Sequence, residues 1–216
     1  MKKHSFFISF LFIIFIIYYF LSYREGFQLM ENKKIVLIGD SILENSNYSH
    51  PSVSEILEET SSVLCLAQDN STIESTYNQI LNIPSHLNNR SCFVFVSVGG
   101  NDILQKYVYG NLEITEFSDI NPLFQKYENL LLSLQKKMNL ATIVLVNIYF
   151  PPFPYYKKFY SIIESWNEKL KFFSEKNHFQ LMNIAEIMKE PEDFSFDIEP
   201  SPIGSKKIAN KILSYL

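Results

Sequence analysis

Two short polar stretches of the 216-residue chain carry residue types suited to nucleophilic chemistry: Gly39-Asp40-Ser41 and Gly99-Gly100-Asn101-Asp102. A serine hydroxyl attacks a carbonyl effectively only where a base takes its proton and donors hold the oxyanion that forms. Each stretch directly follows a short apolar run, residues 34–38 and 92–97. A serine just past such a strand faces a cleft and sits near the unpaired backbone N–H groups that open a turn or helix. Ser41 is therefore the candidate nucleophile. Its own N–H and the Asn101 side-chain amide are candidate oxyanion donors.

The elements that must position these residues follow from hydrophobic patterning. Near-continuous apolar runs at 34–38, 62–66, 92–97, 142–146 and 179–184 read as strands covered on both faces, a property of parallel sheets. Helical patterns lie between and after them, at about 52–59, 72–81, 121–138, 158–175 and 202–216. Five strands, each followed by a helix, predict an open α/β sheet in three layers over residues 33–216. In such a sheet the ligand site lies at the carboxyl ends of the strands, which is where both polar stretches fall. The segment Asn147–Tyr160, directly after the fourth run, holds seven aromatic rings and three prolines. It reads either as an apolar wall for an acyl group or a lip touching the bilayer, or as a rigid, self-packed loop leading into a helix.

The two motifs, in this order and strand context, resemble the SGNH/GDSL hydrolases. The resemblance implies a flavodoxin-like sheet, ester hydrolysis through a Ser41 acyl-enzyme, and no cofactor. It also implies an oxyanion donor in the loop after the second strand, where Asn70 stands in place of the usual glycine; asparagine tolerates the left-handed backbone such a donor needs. Gly39, Asp40, Gly99, Gly100 and Asp102 are expected to support the site. The family's closing block, Asp-x-x-His-Pro-Ser, departs here: aligning Pro200, Ser201 and Gly204 puts Glu199 where histidine belongs, with Asp197 two residues before it. A Ser41/Glu199 dyad assisted by Asp197 is the expected arrangement, in an atypical member without the family histidine. The alternatives are a binding module that keeps the cleft, or acyl transfer to a glycan hydroxyl. Among the histidines only His50, in the loop after Ser41, falls on the correct side to serve as a substitute base.

Residues 5–23 form nineteen uncharged positions rich in Phe, Ile, Leu and Tyr, preceded by Lys2 and Lys3. A helix of that length spans roughly 28 Å, about one hydrocarbon core. Residues 1–23 are expected to be an N-terminal membrane anchor and 24–32 a short linker, with 33–216 placed on the non-cytoplasmic side; a cleaved signal peptide is the alternative. The net charge of −4 argues against a nucleic-acid partner, leaving the membrane and a small ester or acylated glycan or lipid. Two cysteines suit neither a disulfide scaffold nor a four-cysteine metal site, and no metal is expected. If the strand order is 2-1-3-4-5, one strand separates Cys65 from Cys92, beyond disulfide reach. Glycosylation sequons begin at Asn47, Asn70 and Asn89, and a glycan on Asn70 would obstruct the proposed cleft.

Overall fold

The five apolar runs become β1 (Lys34–Gly39), β2 (Ser62–Cys65), β3 (Cys92–Ser97), β4 (Thr142–Val146) and β5 (Gln180–Met182) of one parallel sheet. The computed structural model describes residues 33–109 and 120–216, with Phe15, Ile16, Tyr18 and Tyr19 of the N-terminal segment. The strand order is β2-β1-β3-β4-β5. Lys34 pairs with Cys92 and Gly39 with Ser97, so β1 and β3 end level with one another. That register carries Ser41 and Asn101 to the same edge of the sheet.

Alternation along β1 divides the core. Val36 and Ile38 face one layer with residues of α2 (Ile73–Asn82), α4 (Asn121–Lys137) and α5 (Tyr160–Asn177). Ile35 and Leu37 face the other, with α1 (Val53–Glu58) and α6 (Pro202–Leu213). Each large apolar side chain enclosed in this way contributes about 1.5–3 kcal/mol relative to exposure. The three layers expected from the patterning are present.

The departures are local. The fifth strand covers only three of the six residues predicted, and α5 is preceded by a 3-10 segment at Pro154–Phe159. A short helix, α3 (Gly100–Leu104), starts directly at the second polar motif and runs into a wider turn at Gln105–Tyr109. A two-stranded antiparallel hairpin, β6 (Phe194–Ser195) and β7 (Glu199–Pro200), precedes α6. Cys65 and Cys92 are free and lie on strands either side of β1, as expected. The anchor read at 1–23 and the linker at 24–32 lie outside the described residues, except that Phe15, Ile16, Tyr18 and Tyr19 are helical and exposed. Among the described residues no helix is long and apolar enough to cross a membrane.

Candidate active site

The loop carrying Ser41 is built around Gly39. Its φ is +121°, and a Cβ there would lie 1.6 Å from the Ser97 carbonyl oxygen, so only glycine lets β1 pass β3 this closely. The Asp40 N–H donates to that same carbonyl at 2.9 Å, and the N–H groups of Leu43 and Glu44 donate to the Asp40 carbonyl. The result is a single tight turn with Ser41 at its start. Gln79 of α2 fixes this turn from the side: its carbonyl accepts from the Gly39 N–H at 2.6 Å, and its amide donates to the Gly39 carbonyl at 3.0 Å and to Ser71 Oγ at 2.9 Å. The Asp40 carboxylate turns inward, accepting from the Ile42 N–H and the Ser97 hydroxyl at 3.2 and 3.1 Å. Burial pushes its pKa up to about 7 against those two bonds, with the charge of Glu199 adding to the rise.

The loop after β2 meets the start of α3 in the same place. Asn70 has φ +59°, the left-handed conformation that asparagine tolerates. The Asn101 side-chain amide donates to the Ser71 carbonyl at 2.9 Å, which ties the two loops together. A side-chain amide carries two hydrogens, so Asn101 keeps a second donor for the cleft it lines. Asp102 accepts from the Ile73 N–H at 3.0 Å, satisfying a donor at the start of α2, and its pKa is raised by burial. Gly99 also has a positive φ, +117°, and a Cβ there would overlap the Trp166 ring.

Glu199 reaches the site on β7, held from both sides. The Tyr149 hydroxyl donates to the carbonyl of Ile198, and the Asn45 amide donates to the carbonyl of Pro200 at 3.0 Å and to Ser205 Oγ at 2.7 Å. Ser201 then caps α6, accepting from the Gly204 N–H, so helix and hairpin are locked in sequence. The backbone on each side of Glu199 is therefore pinned. Its carboxyl lies beside the Ser41 hydroxyl, whose hydrogen bond lowers the pKa; burial outweighs that bond and, with the charge of Asp69, pushes Glu199 up to about 7. Its Oε2 is buried with no hydrogen-bond partner among the described residues.

These groups open onto one cleft enclosing about 610 Å³, open solvent at its mouth included. Asp40, Ser41, Gly100, Asn101 and Glu199 form its polar end. The remainder is largely apolar: Ile103 and Leu104 come from α3, Ile148, Tyr149, Pro151 and Phe159 from the aromatic segment, and Ile163 from α5. Residues of the 147–160 segment line the cleft and also pack on one another, with ring pairs Phe150–Tyr160 and Tyr155–Tyr156 at 5.1 Å. Among the described residues no cluster of His, Cys, Asp and Glu is arranged to hold a metal ion.

In sequence, no family model and no curated protein matches the chain. In structure, it is similar to Axe2, an acetylxylan esterase from Geobacillus stearothermophilus, with a TM-score of 0.64, 15% identity, and coverage of 86% of this chain and 94% of that one. It is also similar to a lipolytic G-D-S-L family protein of Veillonella parvula, at a TM-score of 0.62, 16% identity, and coverage of 84% and 97%. A GDSL-like lipase of Bacteroides thetaiotaomicron matches at 0.62 and 14% identity, covering 85% and 87%. The fold is that of the SGNH/GDSL hydrolases.

On this SGNH/GDSL frame the structure brings together Ser41, Asn101 and Glu199 along the cleft, with Asp40 and Gly100 lining it beside them and Gly39, Gly99 and Asp102 in the adjoining turns; Asn70 is not among the cleft-lining residues and lies one residue before Ser71, which Asn101 holds. Two expected contributors are elsewhere. Asp197 is exposed at the hairpin tip with φ +69°, and the neighbouring carboxylate whose charge acts on Glu199 is Asp69. The left-handed pair Phe196-Asp197 turns the chain between β6 and β7, which carries Asp197 away from the residue it was expected to assist. His50 is 74% exposed and faces Glu55 of α1 at 3.5 Å, outside the residues that line the cleft. Four positioning or flanking residues escaped the sequence reading: Gln79, Asn45, Tyr149 and Asp69. Asp69 sits one residue before Asn70 and accepts from the Tyr48 hydroxyl, so its place beside a predicted site residue was the one available signal.

Proposed function

We propose that the protein is a serine ester hydrolase in which Ser41 is the nucleophile and Glu199 the general base. The observation that carries this reading is the pairing of Ser41 with a buried carboxyl held near pKa 7, at the polar end of an otherwise apolar cleft. Ser41 Oγ attacks the ester carbonyl while its proton passes to the Glu199 carboxylate. The carbonyl oxygen takes up negative charge, stabilised by the Ser41 and Asn70 N–H groups and the free hydrogen of the Asn101 amide. Collapse breaks the bond to the leaving alcohol, which receives the proton from Glu199, and the acyl group stays on Ser41. A water then attacks the acyl-enzyme, gives its proton to Glu199, and Ser41 is restored as the carboxylic acid leaves.

The apolar wall from Ile103 to Ile163 suits the acyl side of the ester better than a sugar or a charged headgroup. Residues 1–23 tether this domain to a bilayer in the same reading. The test is labelling of the full chain with a fluorophosphonate, alongside hydrolysis of p-nitrophenyl acetate and butyrate. Labelling and turnover are expected for the parent, with butyrate preferred, and neither for Ser41→Ala. A parent chain that neither labels nor hydrolyses would show a binding module that has kept the cleft without the chemistry.

A further inference from the structure

We propose that the edge of the sheet where the strands begin is a docking surface for the anionic bilayer that residues 5–23 enter, and that the Ser41 cleft opens away from that bilayer. This rests on the anchor reading above and is independent of the catalytic one.

The topology sets the geometry. All five strands run parallel, so the chain enters β1 at Lys34 on one edge and delivers Ser41 at the opposite edge. The nine residues 24–32 reach about 30 Å when fully extended. A domain of this length measures about 40 Å across from its radius of gyration. The linker is too short to carry the domain round until the cleft meets the membrane.

The edge nearest the linker has the chemistry of a membrane-facing surface. The connections that enter β3 and β4 form one cross-braced patch: Lys34 N–H donates to the Ser91 carbonyl at 2.9 Å, Asn88 and Asn139 pair at 2.9 Å, and Lys137 Nζ caps the Leu81 carbonyl at 2.6 Å. The same edge carries exposed Arg90 and Lys136 and half-buried Lys33 and Lys34, and Leu81 and Leu140 on it are 72% and 54% exposed. Cations that reach lipid phosphates, with leucines that enter the headgroup region, are the pattern of interfacial binding. Glu58 and Glu59 occupy the β2 corner of the same edge, so contact is made through the β3–β4 corner. The opposite edge carries Glu44, Asp69 and Asp197 together with Lys157 and Lys158 of the aromatic segment, so it lacks the excess of cations found at the linker edge and an anionic surface favours the latter. Esters carried by lipids of the anchoring bilayer then lie out of reach, and the substrate is an ester presented from the aqueous side.

Hydrogen exchange of the full chain, in nanodiscs of phosphatidylcholine with and without phosphatidylglycerol, tests this. In anionic discs, exchange is expected to slow about threefold or more at 84–91 and 138–141, with no change at 44–50 and 195–199. The double variant Arg90→Glu, Lys136→Glu is expected to lose that protection while staying in the disc. Protection at the cleft loops, or none at the basic edge, overturns the orientation. Failure of the full chain to float with vesicles overturns the anchor and this orientation with it, and leaves the esterase reading to its own assay.

Discussion

Glutamate in water is a weaker base than histidine by about two pKa units, or roughly 3 kcal/mol of proton affinity. At position 199 burial removes that deficit, since the carboxyl is pushed up to about 7, where a histidine would titrate. The sign of the resulting pH dependence is fixed by which form accepts the proton. Only the carboxylate can take it from Ser41, so kcat/KM for an activated short ester should rise about tenfold per pH unit up to pH 7 and level off above it. Glu199→Gln preserves shape and removes the base, with an expected loss of about 10²- to 10⁴-fold in kcat at little change in KM. A flat profile from pH 5 to 8, or a Gln variant as fast as the parent, would place the base elsewhere. Asp40 differs from Glu199 in that its Oδ1 already accepts from the Ile42 N–H and the Ser97 hydroxyl, whereas Glu199 is hydrogen-bonded to Ser41 itself.

At the scale of elements, the site depends on a brace between two loops far apart in sequence. Asn45 is fully buried, donates to Pro200 and Ser205, and accepts from the Val53 N–H at 3.0 Å. Asn45→Ala strands several of these groups without partners, at a cost of about 2–4 kcal/mol in stability. Because the brace positions β7, turnover measured well below the melting point should fall while the pH profile keeps its midpoint. Urea unfolding and steady-state kinetics on the same variant check both halves, and a stability loss with unchanged kcat would make Asn45 purely structural. This brace was not legible in the chain, since Asn45 stands 155 residues from Pro200 of β7 and 160 from Ser205 of α6, and a lone asparagine gives no sign of what it will bond. The five strands were legible, because residues covered on both faces must be apolar throughout. The β6–β7 hairpin was not: two-residue strands leave no period, and its left-handed turn uses Phe196 and Asp197 instead of glycine or asparagine. Ser41 and Asn101 could be found because each follows a strand directly; the Asp197 assignment failed because it depended on that unseen turn.

Across the whole molecule, the same burial that raises the Glu199 pKa places a cost on the fold. Asp40 and Glu199 both have pKa values raised to about 7, from ordinary values of 3.8 and 4.5. A carboxyl whose pKa is raised by folding binds its proton more tightly in the native state. Its favourable contribution is complete below the unfolded pKa, near 4, and is lost as pH climbs through 7. For Glu199 the shift corresponds to about 3 kcal/mol between pH 4 and pH 8. Asp40 pulls in the same direction, and because the two charges oppose each other, ionising one raises the cost of ionising the other. Other groups also titrate in this range, so the informative quantity is a difference between variants. Glu199→Gln, neutral at every pH, should be the more stable protein at pH 8 and gain little at pH 5. In a domain of this size about 3 kcal/mol corresponds to a melting-temperature difference of about 6–12 °C. Parallel curves for parent and variant from pH 5 to 8 would mean that Glu199 titrates normally and is no base at neutral pH. A gap that opens as pH rises through 7 would show the site held in its charged, reactive form at the expense of stability, the exchange that active sites generally make.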